Sequence, residues 1–91
     1  MNKQRRAILS KKIAELEILM SELEDIKGEL EDVKNEEEES FYNMPDSLQD
    51  GERGQSSQEA QDNLDDAISQ LDDEISNIDD IIDSLNSAIE A

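Results

Sequence analysis

Three aspartate pairs, Asp65-Asp66, Asp72-Asp73 and Asp79-Asp80, recur at intervals of seven residues. Two carboxyl groups set across a cleft, one with a raised pKa, can serve as acid and base on a glycosidic bond. Clustered carboxylates can also hold a hard divalent cation. A seven-residue interval argues against both uses, because it lays the pairs along open helical surface where no cleft perturbs them. Asp46 to Glu59 contains acids and glycines, but not the alternating oxygen ligands around a central glycine that a calcium loop requires. Gly51-Glu52-Arg53-Gly54 lacks the lysine and the preceding strand of a phosphate-binding loop. Histidine, cysteine and tryptophan are absent, which removes imidazole acid–base chemistry, thiol nucleophiles, disulfides, and zinc or haem ligation by these residues. The expectation is a protein that is not an enzyme, with no cofactor and no metal site.

Recognition remains. The 91 residues hold 26 acids against 8 bases, a net charge of −18. Residues 1–14 carry Lys3, Arg5, Arg6, Lys11 and Lys12 and no acid, whereas residues 15–91 carry every acid and only three bases. Such a chain has no basic footprint for direct contact with nucleic acid. It suits a basic protein instead, steered to it by charge. Spreading all 26 acids of the chain along a hairpin as long as a second helix of about 32 residues, ~48 Å at 1.5 Å per residue, gives roughly one per 1.9 Å. Duplex DNA carries one charge per ~1.7 Å, so a DNA-mimicking surface is one expectation. The six aspartates above are its candidate partner-binding residues. Tyr42 and Arg53 join them, being residue types enriched at binding hot spots. Phe41 and Leu48 are expected to plug the open end of the bundle. No apolar run is long enough to span a membrane, and the expected location is the cytoplasm.

The elements that position these residues follow from the aliphatic spacing. In the first half, Leu9, Ile13, Leu16, Met20 and Leu23 step by four and three. An overlapping series runs Leu16, Leu19, Leu23, Ile26, Leu30, Val33. Together they predict a helix over about 4–42 with one broad stripe that drifts as a 3.6-residue helix should. In the second half, Leu64, Ile68, Leu71, Ile75, Ile78, Ile82, Leu85 and Ile89 alternate four–three throughout, the seam of a coiled coil. Ala60, Ala67, Ile81 and Ala88 flank that seam on one side; Asp65, Asp72, Asp79 and Asn86 flank it on the other. Pro45 ends the first helix near Tyr42 or Asn43. Ser56-Ser57-Gln58-Glu59 reads as a capping box for the second helix, whose start is placed between about residues 52 and 57.

The expected fold is therefore all-α: one domain, residues 1–91, of two long antiparallel helices (about 4–42 and 56–90) joined by a loop over 43–55. With the bend centred near Leu48, residue i faces about 97 − i, which sets Leu16 on Ile81 and Leu30 on Ala67. Lys3 to Lys12 then lie beside Asp79 to Glu90. Both apolar faces are wider than one partner helix covers, so Leu16, Leu23, Leu30 and the second-helix seam are expected to form the core of a homo-oligomer. A dimeric four-helix bundle is the simplest form.

The stretch Asn43-Met44-Pro45-Asp46-Ser47-Leu48-Gln49, then Glu52-Arg53-Gly54 and an acidic heptad helix, resembles small acidic helical-hairpin proteins of phages and prophages. The likeness covers residues 41–91, and the first helix agrees only in character. It implies a small protein that binds and inhibits a host protein such as a defence nuclease, in the host cytoplasm; it transfers no functional residue. The alternative is a structural coiled-coil oligomerisation protein whose charge serves solubility.

Overall fold

A computed structural model describes all of residues 1–91. Helix α1 spans Lys3–Tyr42, a single turn α2 spans Asp46–Gln49, and α3 spans Glu52–Glu90. The chain has no strand. The two long helices, 40 and 39 residues, lie antiparallel as a hairpin measuring 69 × 15 × 13 Å. At ~1.5 Å rise per residue each helix is about 60 Å long, so α1 and α3 run side by side over almost the full length of the molecule.

Each helix end has a local cause. Asn2 precedes α1 in an extended conformation, and its Oδ1 accepts the Arg5 backbone N–H at 2.8 Å, satisfying one of the unpaired amides of the first turn. Pro45 lies three residues after Tyr42; it cannot donate to a helical ladder and pushes Met44 out of helical geometry. The carbonyls left at the end of α1 are met by one side chain. Gln49 Nε2 donates to the carbonyl oxygens of Phe41 and Met44 at 3.1 Å each, with the Tyr42 oxygen at 3.5 Å. A side chain on α2 thereby closes the end of α1 and fixes the tip of the hairpin.

The second long helix begins at Glu52, the early end of the expected range and before the capping box. Its N-cap is Gly51, and Ser56 lies exposed in the second turn with no capping role. The reason is the single turn Asp46–Gln49, which shortens the connection and lets α3 start at Glu52. Gly54 makes this approach possible. It is buried, and a Cβ at this position would overlap the backbone oxygen of Gln49.

The seam is best read from burial. On α3 the covered or half-covered positions run from Gly54 through Ser57, Gln61 and Leu64 to Ile89, continuing the four–three alternation one and a half heptads toward the tip. On α1 the same alternation runs Leu9, Ile13, Leu16, Met20, Leu23, Lys27, Leu30, Lys34, Glu37, Phe41. The expected drift of the α1 stripe does not occur. Two heptad positions are taken by Lys27 and Lys34, while the competing row Leu19, Ile26 and Val33 stays 44–49% exposed. Long lysine stems can cover an apolar seam while their ammonium groups reach its edge, so the two helices keep a heptad register instead of rolling over one another.

Two ion pairs fix that register. Lys27 Nζ lies 2.6 Å from Asp72 Oδ1 and Lys34 Nζ 2.5 Å from Asp65 Oδ1, residue numbers that total 99 in both cases. At the open end Arg6 Nη2 reaches the Ala91 carbonyl oxygen at 3.5 Å, a total of 97. Residue i therefore faces about 98 − i, one residue from the sequence expectation. Under this rule every covered α1 position from Leu9 to Phe41, and Met44 beyond it, maps onto a covered α3 position. The core is nonetheless thin, with Ile13 at 8% exposure and Ile82 at 6% the only buried aliphatics. The other seam aliphatics, Leu16, Leu23, Leu30, Leu64, Ile68, Leu71, Ile75, Ile78, Leu85 and Ile89, are half-buried.

Candidate protein-binding surface

The heptad places the six candidate aspartates in two rows with different surroundings. Asp65 and Asp72 stand on one flank of the α3 seam and are engaged by Lys34 and Lys27. Asp79 continues that flank with no cation within 4 Å, because its opposite number on α1 is no longer a lysine. Asp66, Asp73 and Asp80 lie on the far side of α3 from the seam, exposed and unpaired. In the first two pairs the adjacent members thus differ, one engaged across the hairpin and one facing outward, while both members of the third are unpaired.

Lys27 and Lys34 are seam residues that the sequence reading passed over. The signal was available: they are seven apart, as are Asp65 and Asp72, and antiparallel register pairs the two sets. The hydrogen bond that Lys27 Nζ donates to Asp72 Oδ1 holds the ammonium above its ordinary pKa of 10.5; the charges of Asp72, Glu31 and Glu24 add to the effect, and partial desolvation opposes it. Lys34 is raised in the same way, first by its hydrogen bond to Asp65. Lys27 also lies 3.8 Å from Glu31 on its own helix.

The basic segment does less inside the hairpin than its position suggests. Arg6 does reach the carboxy-terminal residue, so the expected juxtaposition of the two ends is present. The expected ion pairs to Asp79–Glu90 are not. Lys12 pairs with Glu15 on its own helix at 3.1 Å, and Lys3, Arg5, Arg6 and Lys11 have no carboxylate within 4 Å. Register explains this: Lys11 and Lys12 fall opposite Ser87 and Asn86, and Lys3, Arg5 and Arg6 fall at or past Ala91, so no acid of α3 stands across from them.

At the tip, Tyr42 is 70% exposed and packs edge-on against Phe41, with ring centroids 5.7 Å apart. Phe41 is half-buried at the tip of the hairpin, where the register sets it opposite the small Ser57. Leu48 is more open, at 38% exposure. Arg53 is exposed in the first turn of α3 and pairs with no carboxylate. Tyr42 and Arg53 are therefore both exposed.

The two sides of the hairpin differ. The side carrying Lys27, Lys34, Asp65 and Asp72 is closed by charge. The opposite side is an open cleft of about 440 Å³ lined by Ile26, Leu30, Ala67 and Leu71, with Gln70, Asp73 and Glu74 at its rim. No group of three acidic side chains converges closely enough to hold a metal ion, and no helix is long and apolar enough to cross a membrane. The chain matches no protein-family model, no curated protein and no solved structure.

Proposed function

We propose that the protein is a non-enzymatic binding module that offers an acidic helical rod to a basic protein. The observation that carries this reading is the number of carboxylates with no internal use. Of 26 acids, only Glu15, Glu31, Asp65 and Asp72 have a cation within 4 Å. Surface charge left unpaired over a rigid rod costs self-repulsion and contributes steering toward a partner of opposite sign. The resemblance to phage hairpin proteins supports a host protein, such as a defence nuclease, as that partner.

The length of the rod moderates the DNA-mimic version. Over 69 Å the 26 acids come at about one per 2.7 Å, well below the one per ~1.7 Å of duplex DNA. A partner recognising discrete patches, such as the Asp66–Asp73–Asp80 row or the Tyr42/Arg53 tip, fits better than one that reads continuous line charge.

The test is affinity capture from host lysate by three baits: the wild-type chain, Asp66→Asn/Asp73→Asn/Asp80→Asn, and Tyr42→Ala/Arg53→Ala. A discrete basic protein retained by wild type, released by moderate salt and lost with either variant is the expected result. Equal capture by all three baits would remove the reading. The exposed apolar row of α1 favours a second reading, a structural oligomerisation protein, in which no basic partner is captured.

A further inference from the structure

We infer that the open flank of the hairpin is covered by a second copy of this chain, the two hairpins lying face to face with their tips at the same end and α1 of each on α3 of the other. The first observation is a gap in the charge. Helix α3 holds 12 carboxylates, yet the two heptad lines beside the cleft, Ala60–Ala67–Glu74–Ile81–Ala88 and Ser56–Asn63–Gln70–Asn77–Ser84, contain only Glu74. A surface that serves solubility alone has no reason to spare one strip, whereas a strip that packs on another helix does.

The second observation is that the facing strip of α1 is its complement. Leu19, Ile26 and Val33 form the apolar line, each about half exposed, and Ile81 on α3 is exposed to 48%. Glu15, Glu22, Glu29 and Glu36 form the adjacent line, all exposed. A two-fold axis parallel to the helices leaves every residue at its own height, so the partner's α3 meets α1 near the register of the hairpin itself, about 98 − i. At that register, within two residues, Leu19 meets Ile81 and Val33 meets Ala67 of the second copy. Glu15, Glu22, Glu29 and Glu36 meet Ser84, Asn77, Gln70 and Asn63, each a carboxylate opposite a hydroxyl or amide donor.

The opposed arrangement, with tips at opposite ends, would stack α1 on α1 and set the glutamate line against itself. Like charges at closely packed positions are destabilising, so that arrangement is disfavoured. A basic helix of another protein could pair with the glutamates, but it would leave the amide line of α3 unexplained. One position fits poorly: Ile26 meets Glu74.

The chain has no cysteine, so introduced thiols report the arrangement directly. Chains carrying Leu19→Cys and Ile81→Cys, mixed and treated with a short bismaleimide, are expected to cross-link between copies. Leu19→Cys mixed with Ile26→Cys, which would be joined in the opposed arrangement, is not. Sedimentation equilibrium is expected to give a dimer, and Glu74→Leu to tighten it by about tenfold or more through two buried leucines. Circular dichroism of each variant confirms that helicity is kept. A wild-type monomer, a dominant 19–26 cross-link, or a Glu74→Leu chain that dimerises no more tightly would each overturn the assignment.

Discussion

Gly28 and Gly54 are both helical glycines, and their surroundings give them opposite signs. Nothing lies within 4 Å of a Cβ placed at Gly28, so Gly28→Ala gains the ordinary helix propensity, about 1 kcal/mol. For a chain of this length that raises Tm by roughly 4–8 °C. At Gly54 the added carbon falls on the Gln49 backbone; Gly54→Ala is expected to lose about 1–3 kcal/mol, as overpacking does. Thermal unfolding followed at 222 nm separates the two, and equal shifts of the same sign would show that the tip does not pack as described. The seam lysines make a different residue-scale prediction, through pH. Their folded pKa values are raised above 10.5, so the contribution of each to stability is fully present below 10.5 and is lost as pH climbs through the folded value. Wild type should therefore lose stability on the alkaline side of 10.5, and Lys27→Met/Lys34→Met should lose less over that window. Parallel alkaline profiles for the two chains would contradict the pairing.

The elements show where periodicity suffices and where it does not. The α3 seam was legible because an unbroken run of leucine and isoleucine leaves one solution for the buried face. The α1 seam was harder, because two aliphatic rows compete for it and the winning row contains Lys27 and Lys34. Hydropathy ranks lysine as surface, yet its stem can pack over a seam, and only the matching seven-residue spacing of Asp65 and Asp72 resolves the choice. Where between residues 52 and 57 α3 would start was illegible for a related reason. Ser56 and Glu59 have capping-box spacing, but spacing cannot reveal that a one-turn helix will bring Gln49 against Gly54 and start α3 before the box. The candidate site divides in the same way: the aspartates were visible by type, but which of each pair is engaged depends on a register one residue from that expected. The capping assignments can be measured. Asn2→Ala should cost up to about 1 kcal/mol, seen mainly as fraying of the first turn, since the Asn2–Arg5 bond is an N-cap. Ser56→Ala should change stability by less than about 0.5 kcal/mol, as exposed substitutions away from special features do. A loss at Ser56 as large as that at Asn2 would restore the capping box and move the start of α3.

At the scale of the whole molecule, shape and charge act on the same equilibrium. A radius of gyration of 20.3 Å belongs to a hairpin; an uninterrupted helix of the same 91 residues would be about 137 Å long with a radius near 39 Å. Two hairpins packed face to face at an axis separation of ~8–10 Å double the mass while lifting the radius only to about 21 Å, whereas two joined end to end would approach 40 Å. Small-angle scattering with mass from light scattering therefore distinguishes a folded monomer, a side-by-side pair and an end-joined pair in one experiment. Ionic strength supplies the second axis. Each copy brings a net charge of −18, and exposed charges more than about 10 Å apart are screened at 0.1 M salt but interact over ~30 Å at 0.01 M. Pairing should therefore strengthen as salt rises from 0.01 to 0.15 M, with mass doubling at nearly constant radius. Capture of a basic protein through the unpaired carboxylates should weaken over the same range. Opposite responses to one variable identify two surfaces: the flank that joins copies through the nearly uncharged strip of α3, and the acidic faces left outward. If mass and partner capture both fell with salt, charge would govern both contacts, and the neutral strip on α3 would have no part in holding the chains together.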